Sequence, residues 1–229
     1  MFKPTDLFDL SQTQHAAIFE DVDFSWQALQ RIKDYIAAHM KPVILGRVEG
    51  EAFIGKDVMI GEGTVIEPGA MIKGPAIIGK SCQIRHNAYL RENVIVGDDC
   101  VIGNSSELKN ALLLNGGQVP HFNYVGDSIL GYKAHLGAGV ILSNLRSLPG
   151  NVQVQAGSER IDSGLRKFGA LVGDRADVGC NCVLNPGSII GRGSIIYPGV
   201  NWRGCLPPSS VAKNRAEIAV VERQSTPGQ

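Results

Sequence analysis

Aliphatic residues recur at every sixth position along most of the chain. Counted from Val48 they are Ile54, Ile60, Ile66, Ile72, Ile78, Ile84, Leu90, Val96, Ile102, Leu108 and Leu114. The count resumes at Tyr124, Leu130, Leu136 and Leu142, and again at Val172, Val178, Leu184, Ile190, Ile196 and Trp202. Glycine often follows the marked residue, as at Gly55, Gly61, Gly79 and Gly97. Small residues stand four places after it, as at Ala70, Ala76, Cys82, Ala88 and Ser106. Short strands that each send one aliphatic inward, joined by tight turns of small residues, build a parallel β-helix.

Two interruptions break the count. Between Leu114 and Tyr124 four extra residues predict a loop over 115–123 that lifts His121 out of the wall. Between Leu142 and Val172 a longer excursion, 146–170, contains "NVQVQAGSERID", whose alternation around a turn signal predicts a hairpin arm. Loops thrown from a rigid solenoid are where function concentrates. Ahead of the repeat, "DFSWQALQRIKDYIAAH" places Trp26, Leu29, Ile32 and Ile36 at helical spacing with Ser25 as N-cap, which predicts an amphipathic helix capping the first coil. Residues 1–46 thus form an N-terminal segment, 47–208 the β-helix and 209–229 a tail with a short helix.

Charge narrows the function classes. Lysine plus arginine and aspartate plus glutamate each total 22, a formal net charge of zero. Sequence-independent binding to nucleic acid needs a basic excess, and a polybasic membrane anchor needs the same. No apolar run is long enough to span a bilayer and the start lacks a signal-peptide core, so the expected location is cytoplasmic. Cys82 and Cys100 stand at small-residue positions of the repeat. Cys180 and Cys182 form C-x-C, not the paired C-x-x-C of zinc or redox sites, so no metal is expected.

Residues 18 apart stack on adjacent coils, roughly 4.8 Å from each other. Lys73, Arg91 and Lys109 are so spaced and should form a ladder of three cations. Stacked like charges need an answer. Either Glu107 and Asp127 supply it, or a phosphate-bearing ligand does. His121 has the side-chain chemistry of a general base. A zinc site of His86, His121 and His135 is disfavoured by spacings of 35 and 14 with no close histidine pair.

The stretch "SELKNALLLNGGQVPHFNYVGDSILG", followed by "HLGAGVILSNLR" and "DSGLRKFGALVGD", resembles the acetyltransferase domain of bacterial and archaeal glucosamine-1-phosphate acetyltransferase / sugar-1-phosphate nucleotidylyltransferase bifunctional enzymes. These are left-handed hexapeptide-repeat β-helices with three strands per coil, which implies an all-β left-handed solenoid of about seven coils from the 22 marked positions. By that resemblance His121 is the base and Glu107 the carboxylate that orients it. Arg91, Lys109, Tyr124 and Lys167 would hold a sugar phosphate, Asn144 would contact the sugar, and Ala138 and Cys180 would face the thioester of acetyl-CoA. His135 stands where the family has a substrate-contacting asparagine, which leaves the amino-sugar preference open.

No glycine-rich nucleotide loop precedes the repeat, so synthesis of a nucleotide sugar by this chain alone is not expected. The resemblance implies N-acetyl transfer to a hexosamine 1-phosphate by a homotrimer. Two alternatives stay open. One is acyl transfer to a nucleotide-linked amino sugar or a hydroxyl; the other is a non-catalytic trimeric scaffold for a separate nucleotidyltransferase.

Overall fold

The computed structural model describes residues 2–214; the helix expected in the tail lies outside them. Parallel strands stack in three columns. The first face runs from Val43–Ile44 to Cys205–Leu206, the second from Arg47–Val48 to Val211–Ala212, and the third from Phe53–Ile54 to Asn201–Trp202. All pairings between coils are parallel, as in Val65 opposite Gln83 and Ile66 opposite Ile84. The second face alone is a nine-stranded sheet, so the solenoid has nine coils rather than the expected seven. The hexad count misses strands at the ends, where the spacing departs from six (a step of four from Trp202 to Leu206), and passes over the strand that carries Val119. The β-helix therefore begins before residue 47 and continues past 208.

Inside the prism, one buried aliphatic per strand stacks from Ile60 through Ile66, Ile72 and onward to Ile196. The expected loop at 115–123 is absent. Gln118–His121 is a strand of the second face, with Val119 opposite Ile102 and fully buried. The inward residues are Leu108, Leu113, Val119, Val125 and Leu130. Leu114 instead lies on the outside under the N-terminal segment, and Tyr124 points outward, half-buried.

Two steps of five residues, Leu108 to Leu113 and Val125 to Leu130, replace steps of six. Each shortens the corner where the third face turns into the first. There Asn110 and Asp127 take φ of 46° and 45°, and the flanking strands merge into continuous runs, Glu107–Leu113 and Tyr124–Leu130. The break in the period is thus two deletions, not an insertion.

The first face is apolar on both sides. Ile77, Ile95, Leu112, Ile129, Leu171 and Ile189 point outward and are buried beneath the N-terminal segment and the excursion. The helix Ala28–His39 buries Leu29, Ile32 and Ile36 there, beside Trp26. It runs along the flank of the coils instead of capping the first one. Ser25 is not its N-cap: it starts a short 3-10 turn and its hydroxyl donates to the Phe2 carbonyl at 2.7 Å. Asp9 N–H donates to Asp174 at 2.6 Å and Gln14 to Asp98 at 3.2 Å, pinning the segment along several coils. The first coil stays open, with Val43, Ile44 and Leu45 exposed.

The hairpin forms as expected, Gln153–Ala156 pairing antiparallel with Glu159–Asp162. It folds back on its own chain, burying Val152 and Val154 against the cluster that holds Phe168 and Ile189.

Candidate functional site

Most of the residues singled out in the sequence fall on the third face or at its two edges; His135 lies on the second face and Lys167 in the excursion. Tyr89, Glu107, Tyr124 and Ile141 stand opposite one another along that face and point outward. At the edge shared with the second face lies His121. Asn104 stands opposite it, the N–H of Gly139 donates to the His121 carbonyl at 3.0 Å, and the N–H of Asn181 donates to the Ala138 carbonyl at 2.8 Å. His121, Ala138 and Cys180 therefore occupy equivalent corner positions on successive coils, which unites three of the expected residues.

Asn123 builds this corner, and the sequence reading missed it. It stands at a small-residue position of the repeat, equivalent to Ala88 and Ser106, and is buried. Its Oδ1 accepts from the His121 backbone N–H at 3.0 Å and its Nδ2 donates to the Gly137 carbonyl at 2.7 Å. Phe122 takes φ of 52° and is 61% exposed. At Gly103 an added Cβ would fall 1.5 Å from the Pro120 carbonyl oxygen, so only glycine admits this close approach of the coils. The His121 imidazole is exposed and, among the described residues, has no hydrogen-bond partner. The expected bond from Glu107 is not present: Glu107 Oε1 accepts from Arg91 Nη1 at 3.0 Å.

The opposite edge is a network of charges. The ladder forms as the spacing predicted, since Ile72 stands opposite Leu90 and Leu90 opposite Leu108. Each cation has a carboxylate: Lys73 with Glu92 at 3.7 Å, Arg91 with Glu107 at 3.0 Å, and Lys109 with Asp127 at 3.2 Å. Burial pushes the Glu92 carboxyl up. Its own backbone hydrogen bond and the charges of Arg91, Lys73 and Lys109 outweigh that and hold it below the usual range.

Asp127 is the hub. It is 4% exposed and accepts from Lys109, from Asn110 Nδ2 at 2.9 Å and from Asn144 Nδ2. Asn144 Nδ2 also lies 3.3 Å from the Tyr124 hydroxyl. Burial, then the charges of Glu107 and Asp127, push the Tyr124 phenol above its ordinary range. Lys167 is exposed and lines a cleft of about 390 Å³ with Asn110, Asp127, Arg166, Leu165, Leu29 and Gln30. Lys109, Asn144 and, through Asn144, Tyr124 thus assemble around Asp127, with Lys167 lining the same cleft, whereas Arg91 lies two coils away on Glu107. Glu107 and Asp127, the two acids expected to answer the ladder, do so on Arg91 and Lys109; what the spacing did not show is that Asp127 also binds Asn110 and Asn144.

His135 lies on the second face, its Nδ1 2.8 Å from Asp177 Oδ1. Among the described residues no group of three or more histidines, cysteines, aspartates or glutamates could hold a metal ion. No helix is long and apolar enough to cross a membrane.

The GMPPB C-terminal domain family matches residues 72–159. The bifunctional protein GlmU of Methanococcus maripaludis strain C7 is 43% identical over 196 residues, 86% of this chain and 46% of that protein. This chain is homologous to the acetyltransferase-like part of the GlmU proteins. It spans about half the length of the GlmU relatives it matches over most of its sequence. The bifunctional sugar-1-phosphate nucleotidylyltransferase/acetyltransferase of Sulfurisphaera tokodaii is 40% identical over 93 residues, 41% of this chain and 23% of that protein. Among solved structures, the UDP-N-acetylglucosamine acyltransferase of Campylobacter jejuni aligns with a TM-score of 0.47 at 19% identity, over 78% of this chain and 70% of that one.

Proposed function

We propose that the chain is an acetyltransferase that moves the acetyl group of acetyl-CoA to the 2-amino group of a hexosamine 1-phosphate. The observation that carries this reading is the third face itself. It has at one edge an imidazole without a hydrogen-bond partner among the described residues, aligned with Ala138 and Cys180, and at the other a network of paired charges and amides. The activities for which the relatives are named, sugar-1-phosphate nucleotidylyltransferase/acetyltransferase among them, support the same substrate class.

In this reading acetyl-CoA lies along the corner of Ala138 and Cys180. The acceptor phosphate sits near Lys167 and Arg91, and Asn144 and Tyr124 meet the sugar. An ammonium is not a nucleophile, so His121 takes a proton from the amine. The amine attacks the thioester carbonyl; as the C–S bond breaks, the surplus N–H proton goes to the departing sulfur and CoA leaves as the thiol. Phosphate binding remote from the reacting atoms aligns the amine. Glu107 acts through Arg91, holding the guanidinium toward the acceptor, rather than on the imidazole. Assembly as a homotrimer and cooperation with a separate nucleotidyltransferase belong to this proposal.

The test is release of free thiol from acetyl-CoA with glucosamine 1-phosphate and with galactosamine 1-phosphate. Turnover should fall by about 10²-fold or more in His121→Ala. No turnover with either sugar overturns the acceptor. A second reading, transfer to a nucleotide-linked amino sugar, draws on the His135–Asp177 pair, which presents an imidazole where an asparagine was expected. Binding of sugar phosphate without turnover on any acceptor would favour the scaffold.

A further inference from the structure

Beyond the network around Asp127, the hairpin encloses a second, smaller hollow. The strand Gln153–Ala156 lies over the corner of the later coils: an added Cβ at Gly187 would fall 2.8 Å from the Gln153 carbonyl oxygen, and one at Gly204 would fall 3.2 Å from that of Gln155. Where hairpin and corner meet, Arg146, Gln153, Gln155, Arg160, Pro186 and Arg203 line a hollow of about 90 Å³.

Its lining holds three guanidinium groups and no carboxylate. Among the described residues none of the three arginines makes an ion pair, and Arg146 alone has a hydrogen bond, to the Asn151 carbonyl at 2.5 Å. Asp162 feels the charge of Arg146, but its Oδ1 is already engaged by the Gly164 N–H at 2.8 Å. The three arginines come from separate segments: the start of the excursion, the hairpin and the coil after Pro186. Guanidinium stays protonated in proteins, so gathering three of them in one hollow is repulsive until an anion enters. Every ladder cation on the other network already has its carboxylate; here none does.

We propose that Arg146, Arg160 and Arg203 form a phosphoryl-binding site. The planar fork of arginine suits phosphate oxygens; the amides of Gln153 and Gln155 are engaged by Asp162 and by the Gly157 carbonyl, so the arginines supply the donors. A hollow of about 90 Å³ accepts a single phosphoryl group, with the rest of the ligand outside. Arg146 follows Asn144 by two residues, and Pro186 and Arg203 lie on the next two coils.

Calorimetric titration of the full chain with pyrophosphate tests the site without requiring any turnover, so it stands or falls apart from the acetyltransferase reading. Binding should weaken about tenfold or more in Arg160→Gln and in Arg203→Gln, as expected for loss of a charge-assisted bond. It should survive in Arg203→Lys better than in Arg203→Gln, and should weaken as salt rises. Circular dichroism and melting temperature should be unchanged, because both side chains are exposed. No binding to wild type at millimolar pyrophosphate, or equal binding in the Arg160→Gln/Arg203→Gln double variant, overturns the site. Displacement of pyrophosphate by a nucleoside-diphosphate sugar or by acetyl-CoA supports it and identifies which ligand carries the phosphoryl group.

Discussion

The Asp127 carboxylate lies 3.2 Å from the Nζ of Lys109, and the shortened corners of two consecutive coils bring the two together. Both side chains are largely buried, so the pair is weakly screened. Removing the acid strands the cation. Asp127→Ala should therefore cost about 3–5 kcal/mol, the range for breaking a buried pair. Asp127→Asn, which keeps an acceptor for Lys109, should cost less. Urea unfolding measures both, and a loss below about 1 kcal/mol in the alanine variant would show a pair screened like a surface one.

Gly126 leaves room for the acceptor side of the site. An added Cβ there would fall 2.6 Å from Asn144 Nδ2 and 2.6 Å from the Tyr124 hydroxyl. Gly126→Ala should push these two groups apart while the core stays intact. Steady-state kinetics should show a higher KM for the sugar phosphate with a smaller change in kcat. An unchanged KM would remove Asn144 and Tyr124 from acceptor binding.

Alkaline stability should depend on Tyr124. Its phenol is pushed up by burial and by Glu107 and Asp127, so the folded chain holds this proton more tightly than the unfolded chain. The stabilising contribution is complete below the ordinary tyrosine range near pH 10 and is lost as pH rises beyond it. Tyr124→Phe should unfold less steeply with pH above 10 than wild type. Parallel alkaline profiles for the two proteins would contradict the shift.

Acid stability should depend on His15, which is 5% exposed beneath the N-terminal segment and hydrogen-bonded through Nδ1 to the Tyr35 hydroxyl at 3.2 Å. Burial lowers its pKa from 6.5 to about 4, against an opposing pull from Asp98. The unfolded chain takes up the proton first. The contribution is therefore whole above pH 6.5 and is lost as pH falls toward 4, by about 3 kcal/mol at most. His15→Leu should show a shallower loss of stability across that window. An NMR titration of His15 with a midpoint near 6.5 would contradict the burial effect.

The period of six was legible because a β-helix repeats one inward residue per strand, and Ile54 through Leu108 obey it. The cation ladder was legible for the same reason, since a fixed number of residues per coil converts sequence spacing into stacking. The hairpin of Gln153–Asp162 was legible from its alternation. The loop around His121 was misjudged because aliphatic residues occur side by side. Leu112, Leu113 and Leu114 are consecutive, and a count cannot tell which faces the prism when the far side is buried as well. The same doubling hid the helix position: an apolar stripe of Ile77, Ile95, Leu112 and Ile129 on the outer flank competes with the open first coil for the apolar face of Ala28–His39.

The sequence by itself determined the solenoid, its strand period and the stacking of Lys73, Arg91 and Lys109, because each follows from near-neighbour spacing in a repeating coil. Tertiary structure alone decided that Glu107 goes to Arg91 and not to His121, that Asp127 also gathers Asn110 and Asn144, and that Arg146, Arg160 and Arg203 meet without a carboxylate. Those outcomes depend on where a shortened corner and a folded-back hairpin place charges distant in sequence. Partner choice among charges is a matter of ångströms and burial, which spacing along the chain does not encode.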